Sequence, residues 1–291
     1  MTIVHFGGSI LIHHTTIQPE KTLVVTHNAG FFSCSTQRLR RTIDFFNDNK
    51  VCPDVIDSSQ QFGCYKTNQS DLTEYFYRNN DEVAIDYDEN IFFTELKGAI
   101  DHHDQYIDHH DQYMDYKLLN YEKVIPFVKK YFKPSEEVDN KIISYEDLYN
   151  FDYDNLCSIF YRGNDKKTET RLGSHQEYID KCAEVKEKNL NMKFFVQTDD
   201  ARFLSAFLSV FNDSIYIEDI PRIEDDLTTV HFKLPQRERL TAAINFLAAT
   251  HIVSKCNTII THSGNCGLWA ILFRGNSDNV IQYLNGVFCC P

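Results

Sequence analysis

The sequence predicts an α/β protein with two β/α domains that face a cleft. Three observations lead to this fold class: apolar runs typical of buried strands, polar turns rich in glycine and asparagine directly after them, and helical apolar spacing further along. A length of 291 residues exceeds the size at which one core keeps growing. Two domains are therefore expected. Residues 133–154 contain Pro134, Ser135 and several acidic residues before the next predicted strand, so we place the boundary near residue 150, between domains of residues 1–150 and 151–291.

The amino-terminal half begins with a strand, a loop and a helix. Residues 21–27 are predicted to be a buried strand, residues 28–30 its exit turn, and residues 35–47 a helix with one apolar face. A second strand over residues 52–57 follows after one helix length, as a parallel pair requires. The carboxyl ends of both strands would face the cleft. The residues that this places there are Asn28, Gly30, Asp57 and Ser58.

The most informative stretch is the polar turn after a third strand, which we predict over residues 155–161. Helical apolar spacing from Glu177 to Val185 follows the turn. Arg162 then lies at the carboxyl end of the strand, where open α/β sheets bind ligands. A guanidinium beside small turn residues suits a phosphate, which it can bind through two parallel hydrogen bonds. The alternative is a solvent-facing arginine in a polar loop.

This turn resembles the phosphate-binding motif of the GDP-fucose-dependent fucosyltransferases, especially the α-1,6-fucosyltransferase family and its bacterial nodulation relatives. The family pattern is His-x-Arg-Arg-x-Asp-Lys, followed by Thr-Glu. The residues in matching places are Arg162, Asp165, Lys166, Thr168 and Glu169. The chain departs from the family at Phe160, where the family has His, and at Gly163, where it has a second Arg. The spacing from Lys166 to Glu169 is also one residue shorter.

Two further segments resemble family motifs and come in the family's order. Residues 193–200 resemble its strand that ends in a Ser/Thr-Asp-Asp corner. Residues 247–274 resemble the last family signature, with a predicted strand over residues 252–260, a turn over residues 261–265 and a helix over residues 267–273. The resemblance fades before residue 155.

The resemblance implies roles for these residues. Fixed donors would stabilise the charge that develops on a leaving diphosphate, and an inverting transfer also needs a base for the acceptor hydroxyl. The implied catalytic residues are Arg162, Lys166 and Glu169, with Glu169 either acting as the base or holding Lys166. The implied donor-binding residues are Arg162, Asn164, Asp165, Thr198, Asp199, Asp200, His262, Ser263, Gly264 and Asn265. The last three would offer backbone N–H groups at the start of a helix. The alternatives are an ordinary helix cap there and a solvated ion pair in the loop.

The implied protein is an inverting glycosyltransferase of GT-B architecture, in which two Rossmann-like domains face a cleft. It would transfer fucose, a deoxyhexose, from GDP-fucose to a glycan hydroxyl, with the acceptor on the amino-terminal side. No cofactor and no metal are expected, because protein donors bind the diphosphate. Two alternatives remain: a GT-B transferase that uses another nucleotide sugar, and a catalytically silent nucleotide-sugar-binding protein.

Composition narrows the class of protein and its location. With 42 acidic and 29 basic residues, the formal net charge of -13 argues against a broadly basic nucleic-acid-binding surface. Nine cysteines without a C-x-x-C pair favour a reducing compartment. Neither a membrane span nor a signal peptide is predicted. Since eukaryotic members of the family usually carry a membrane anchor and luminal disulfides, we expect a cytoplasmic protein of a bacterium or of a virus-infected cell.

Residues 100–113 contain the heptad Ile-Asp-His-His-Asp-Gln-Tyr twice. The spacing of seven predicts an amphipathic helix. Histidine and aspartate are common metal ligands, and their density here raises the hypothesis of a metal site. His103 and His110 are also seven residues apart. Duplication of one heptad gives the same composition without any ligation, so we favour a solvated polar face. A metal-binding or scaffolding protein is the remaining alternative.

Overall fold

The computed structural model describes residues 21–67, 70–94, 114–168, 171–225 and 228–289. Within these ranges, five strands form one sheet in the carboxyl-terminal half. The strands are β5 (Leu156–Tyr161), β6 (Lys193–Thr198), β7 (Thr258–His262), β8 (Val280–Leu284) and β9 (Val287–Cys289). Their order in the sheet is β6-β5-β7-β8-β9. Neighbours are parallel except β8 and β9. The duplicated heptad and Glu169 lie outside the described residues.

Helices cover both faces of this sheet, which explains why its central strands are continuous apolar runs. Every residue of β5 and of β7 is buried. One face packs against α5 (His175–Lys188) and α6 (Ala201–Val210). The other packs against α8 (Gln236–Lys255) and α9 (Asn265–Arg274). The short helix α7 (Val230–Lys233) immediately precedes α8. The predicted α/β class is confirmed.

The amino-terminal half has less sheet in the described residues. A parallel pair, β1 (Thr22–Val24) and β2 (Val55–Asp57), flanks α1 (Phe31–Asn49). The remaining elements are α2 (Thr73–Phe76), β3 (Tyr77–Arg78), α3 (Tyr121–Tyr131), β4 (Lys133–Pro134) and α4 (Glu136–Tyr149), with β3 and β4 antiparallel. Single 3₁₀ turns lie at Gly63–Tyr65, Tyr116–Leu118, Tyr153–Asn155 and Asn164–Thr168.

One hydrophobic cluster includes residues from both halves of the chain. Phe32 of α1 stacks on Trp269 of α9, with ring centroids 5.9 Å apart. The indole Nε1 of Trp269 donates a hydrogen bond of 2.9 Å to the hydroxyl of Thr36. The two halves are thus joined by a packed aromatic contact, and the division near residue 150 stays a prediction.

Several predicted element bounds are wrong. The strand predicted over residues 21–27 is only three residues long and largely exposed, and α1 begins at Phe31 instead of residue 35. Residues 252–255 belong to α8, so β7 begins only at Thr258. Ile252 and Val253 lie in α8 with fully buried side chains, and this packing overrides the preference of β-branched residues for strands. No helix in the described ranges is long and apolar enough to cross a membrane.

Candidate active site

A cavity of about 740 Å³ opens at the carboxyl ends of β5, β6 and β7. Since neighbouring parallel strands end at one edge of a sheet, motifs from three distant segments meet there. Residues 27–33 and 64–65 of the amino-terminal half, which lie at the start of α1 and in a 3₁₀ turn, also line the cavity. The predicted site residues that line the cavity are Asn28, Gly30, Arg162, Asp165, Lys166, Thr198, Asp199, His262, Ser263, Gly264 and Asn265.

Two predicted donor-binding residues do not line the cavity, because their side chains hold the fold together. The side-chain amide of Asn164 donates a hydrogen bond of 2.8 Å to the backbone carbonyl of Asp199. The carboxylate of Asp200 accepts from the backbone N–H of Arg202 at 2.9 Å and so caps α6. It also accepts two hydrogen bonds from the Arg202 guanidinium, each 3.1 Å long. Asn164 and Asp200 therefore stabilise the loops beside the cavity without lining it.

Asp57 and Ser58, which were predicted to face the cleft, do not line the cavity. Ser58 is fully buried, and its hydroxyl accepts a hydrogen bond of 3.2 Å from Nε of Arg38. The carboxylate of Asp57 instead accepts a hydrogen bond of 2.8 Å from the backbone N–H of Ser59. These residues close the turn after the strand.

Arg162 brings a cation to the wall of the cavity. Its Nε lies 2.7 Å from Oδ2 of Asp199, its Nη1 lies 2.9 Å from Sγ of Cys266, and its Nη2 lies 3.5 Å from Oδ1 of Asp165. Burial alone would lower the pKa of Arg162, but these neighbours raise that pKa well above its usual value. The side chain is only 15% exposed. Arg162 is therefore a fixed cation in the wall of the cavity.

Gly163, where the related motif has a second arginine, has no room for a side chain. A Cβ at this position would lie 2.6 Å from Oδ2 and 2.9 Å from Cβ of Asp200. Its backbone N–H donates a hydrogen bond of 3.0 Å to Asp199. The other departure, Phe160, is fully buried, and its ring centroid lies 6.0 Å from that of Phe246. Both departures are thus packed into the fold.

Lys166 adds a second cation to the wall. Its Nζ lies 3.7 Å from Oδ2 of Asp165. Among the described lining residues, Arg162 and Lys166 are therefore matched by the two carboxylates of Asp165 and Asp199. An anionic ligand would meet two cations that are already held in place.

The start of α9 supplies a third feature suited to an anion. Gly264, directly before the helix, has φ of +132°, a conformation that side chains rarely adopt. Gly267 lets the first turn approach the sheet, since a Cβ there would lie 2.6 Å from the backbone oxygen of His262. The N–H groups of a first helical turn have no partner within the helix and attract anions. The hydroxyl of Ser263 donates to the carbonyl of Tyr283 at 2.9 Å, so its side chain positions this turn.

Two histidines of the cavity are neutral near pH 7. Burial and the charge of Arg162 lower the pKa of His262 to about 4. Its Nδ1 lies 3.3 Å from the carbonyl of Phe160, which can only accept, so Nε2 is the acceptor of this ring. Burial and Arg162 also lower the pKa of His231 to about 4. The ring of His231 lies 5.5 Å from that of Tyr65, which also lines the cavity.

The sequence analysis missed several lining residues. His27 immediately precedes the predicted turn, and its Nε2 lies 2.9 Å from the Ser33 hydroxyl, so the strand-end argument could have included it. Gln197 likewise directly precedes Thr198. The remaining missed residues lie in loops, a 3₁₀ turn and the short helix α7, none of which has a recognisable motif. They include Cys64, Tyr65, Ile220, Pro221, Thr229, Val230, His231, Phe232 and Leu234. In the described ranges, no group of three or more His, Cys, Asp or Glu side chains could hold a metal ion.

Solved structures with a similar fold include fucosyltransferases. A NodZ α-1,6-fucosyltransferase soaked with GDP-fucose is 13% identical, with a TM-score of 0.58 over 94% of this chain and 99% of that one. A NodZ structure co-crystallised with GDP is 14% identical, with a TM-score of 0.58 over 94% and 98%. NodZ from Bradyrhizobium matches with the same identity, TM-score and coverage as the GDP complex.

This chain has the NodZ fold. At 13–14% identity the likeness concerns the fold alone, and on that level it confirms the resemblance seen in the three motifs. No family model matches the sequence, and no curated protein does. The similarity to NodZ covers nearly the whole chain, including the half in which the sequence motifs fade.

Proposed function

We propose that the protein is an inverting glycosyltransferase of GT-B architecture that transfers fucose from GDP-fucose to a glycan hydroxyl. One observation carries the proposal: Arg162, Lys166 and the start of α9 converge on one cavity edge in a fold shared with NodZ. The cavity volume of about 740 Å³ lies within the range of small-molecule sites. NodZ structures have been solved with GDP-fucose and with GDP.

The proposed mechanism uses fixed positive charge on the leaving group. As the bond between sugar and diphosphate breaks, negative charge increases on the phosphate oxygens, and donors already in place stabilise it without reorganising. Arg162 would supply its guanidinium fork, while Lys166 and the first turn of α9 would supply a point charge and backbone N–H groups.

The acceptor would enter from the amino-terminal wall, formed by residues 27–33 and 64–65. An inverting transfer needs a base that takes the proton of the attacking hydroxyl on the face opposite the phosphate. We propose Glu169 for this role, on its place in the related motif. The oxygen of the acceptor then forms the new bond to the sugar carbon, and GDP leaves with the electron pair of the broken bond.

Nucleotide binding tests the donor class. We expect GDP to raise the melting temperature of the protein more than UDP, ADP or CMP, since ligands that bind the folded state stabilise it by mass action. Equal or larger stabilisation by UDP would remove fucose as the favoured donor and favour a transferase for another nucleotide sugar. Binding of GDP-fucose without transfer to a broad acceptor panel would favour the silent binding protein.

A chelation experiment tests the metal-independent mechanism. We expect GDP binding and transfer to be unchanged in EDTA, because Arg162 and Lys166 supply the positive charge that a bridging ion would otherwise provide. The side chains of Asp199 and Asp200 are the nearest acidic pair, but Asp199 is held by Arg162 and Asp200 by Arg202. Activity that is lost in EDTA and restored by manganese would contradict this mechanism.

A further inference from the structure

His262 presents an unused hydrogen-bond acceptor at the edge of the cavity. It is the last residue of β7, it is 3% exposed, and it lines the cavity. Its Nδ1 donates to the carbonyl of Phe160 at 3.3 Å, so Nε2 carries the free lone pair of the ring. Within the described residues, the contact with Phe160 is the only hydrogen bond of this side chain.

Two observations place Nε2 at the surface of the cavity. The ring edge that carries Nε2 faces Gly264, since a Cβ built on Gly264 would lie 3.4 Å from Nε2 and 3.7 Å from Cδ2, with no other atom beyond its chain neighbours within 4 Å. Nε2 of His262 also keeps accessible surface, in contrast to Nε2 of His251, which is enclosed and has no donor in the described ranges. Because His262 and Gly264 both line the cavity, a ligand there can reach this nitrogen.

The fold holds this nitrogen in place before a ligand arrives. The ring is joined to β5 through Nδ1, and the hydroxyl of Tyr116 donates to the carbonyls of His262 and Gly264 at 3.1 Å and 3.0 Å. A ligand that brings a donor to Nε2 therefore gains a hydrogen bond without ordering a mobile side chain.

The position of His262 indicates which part of the ligand it meets. Its neighbour Thr261 pairs with Phe160, two residues before Arg162, and Gly264 immediately precedes α9, so the ring lies between two parts of the proposed phosphate site. An unprotonated Nε2 only accepts hydrogen bonds, and phosphate oxygens at neutral pH also only accept. In a nucleotide sugar, the groups bonded directly to the diphosphate are sugars, whose hydroxyls can donate.

We propose that Nε2 of His262 accepts a hydrogen bond from a hydroxyl of the sugar bonded to the diphosphate, and that this bond distinguishes a nucleotide sugar from a bare diphosphate. The inference rests on the proposed function, since it takes a nucleotide sugar as the ligand. The sugar is either the ribose of GDP or the transferred fucose. Both offer the same donor, and the experiment below separates them.

The test measures the affinity of the wild type, His262→Asn and His262→Gln for inorganic pyrophosphate, GDP and GDP-fucose by calorimetry. The amide nitrogen of asparagine takes the place of Nδ1 and can still donate to Phe160, but nothing takes the place of Nε2. The longer side chain of glutamine can put an accepting oxygen near the place of Nε2. His251→Asn is the matched control, because His251 is also a buried histidine but does not line the cavity.

We expect His262→Asn to bind GDP-fucose about 3- to 10-fold more weakly, the range for one lost neutral hydrogen bond, and to keep its affinity for pyrophosphate. His262→Gln should recover part of the loss, and His251→Asn should keep its affinity for all three ligands. An equal loss with GDP identifies the ribose hydroxyl, and a loss with GDP-fucose alone identifies a fucose hydroxyl.

Two results would overturn the inference alone. Wild-type affinity of His262→Asn for both GDP and GDP-fucose would show that Nε2 meets no hydroxyl of the ligand. An equal loss of pyrophosphate affinity would show that His262 serves the phosphate site or holds the turn before α9. A wild-type protein that binds neither GDP nor GDP-fucose would overturn the proposed function, and this inference with it.

Discussion

Arg162 shows how one residue serves both the fold and the proposed chemistry. Its guanidinium contacts Asp199, Asp165 and the thiol of Cys266 before any ligand is present. A phosphate would therefore share or replace existing partners of Arg162. The arrangement keeps the cation in position at the cost of competition from two carboxylates.

Replacing Arg162 should impair transfer strongly. We expect Arg162→Ala to lose at least about 2 kcal/mol of transition-state stabilisation, the scale for removing a charge-assisted donor from a desolvated site. Arg162→Lys should restore little, because an ammonium group cannot reproduce the planar fork. Nucleotide affinity, turnover and melting temperature of both variants measure these effects.

Arg202→Ala is the matched control for this prediction. Arg202 pairs with Asp200 at 3.1 Å, on the same acidic corner, but does not line the cavity. We expect Arg202→Ala to lose stability and to keep nucleotide affinity. A stable Arg162→Ala protein that transfers sugar at nearly the wild-type rate would show that Arg162 has no part in the reaction.

Gly163 allows a second prediction at the residue scale. An added methyl group would collide with the Asp200 carboxylate, whose hydrogen bonds to Arg202 restrict its movement. We expect Gly163→Ala to destabilise the protein by about 1–3 kcal/mol, the usual cost of overpacking. Chemical denaturation measures it, with Gly30→Ala as the control, since a Cβ at Gly30 would have no atom within 4 Å. Equal stability of the two variants would refute the packing argument.

At the scale of elements, the sequence predicted what strong local patterns determine. The strand over residues 156–161, the helix over residues 175–188 and the strand over residues 193–198 were all found, because continuous apolar runs alternate there with polar turns. Helix α8 was not predicted, because it is buried on most sides and so lacks a clear polar face. The short strands β1 and β2 were overextended, and apolar residues within them, such as Val24 and Val55, are exposed.

The candidate site was also predictable only where local sequence patterns determine the position of its residues. Residues at strand ends, such as Arg162, Asp199 and His262, were found because the topology alone brings them together. Lining residues of the short elements, such as Tyr65 in a 3₁₀ turn and His231 in α7, could not be found in this way. Such elements are placed by long-range packing, which leaves no periodic pattern in the sequence.

The approach of α9 to the sheet gives a prediction at this scale. Gly267→Ala would introduce a methyl group 2.6 Å from both the His262 carbonyl and the Tyr116 hydroxyl. We expect the first turn of the helix to move outward, with a loss of about 1–3 kcal/mol in stability and a clear loss in GDP affinity. Calorimetry and chemical denaturation measure the two effects separately.

The other end of the same helix provides the control. Gly275 has φ of +84°, so Gly275→Ala also strains the backbone, but this residue does not line the cavity. We expect comparable destabilisation without a change in GDP affinity. If both variants lost affinity equally, the start of α9 would have no specific part in binding.

At the scale of the whole molecule, buried neutral histidines make the fold sensitive to acid. Burial lowers the pKa of His262 to about 4 and that of His251 to about 3. The unfolded chain binds protons at these residues below about pH 6.5, whereas the folded protein does not. Stability should therefore fall as pH decreases from about 6.5, by about 1–2 kcal/mol per histidine at pH 5.

His251→Phe tests this prediction at a distance from the cavity. The ring of His251 stacks on Phe273 with centroids 3.8 Å apart, and phenylalanine preserves that contact without a titrating group. The slope of the unfolding free energy against pH, measured between pH 7 and pH 4, should be smaller in the variant. The difference in slope should correspond to at most one bound proton. An unchanged slope would mean that His251 already titrates normally in the folded protein.

The stacked contact between Phe32 and Trp269 also gives the molecule a built-in optical reporter. Trp269 is the sole tryptophan of the sequence, and it is fully buried at the junction between α1 and α9. Emission excited selectively from indole therefore originates at this one junction, four residues after the start of the helix that faces the cavity. A red shift on adding nucleotide would mean that water reaches the junction, and an unshifted spectrum would mean that the two halves stay joined while the ligand enters.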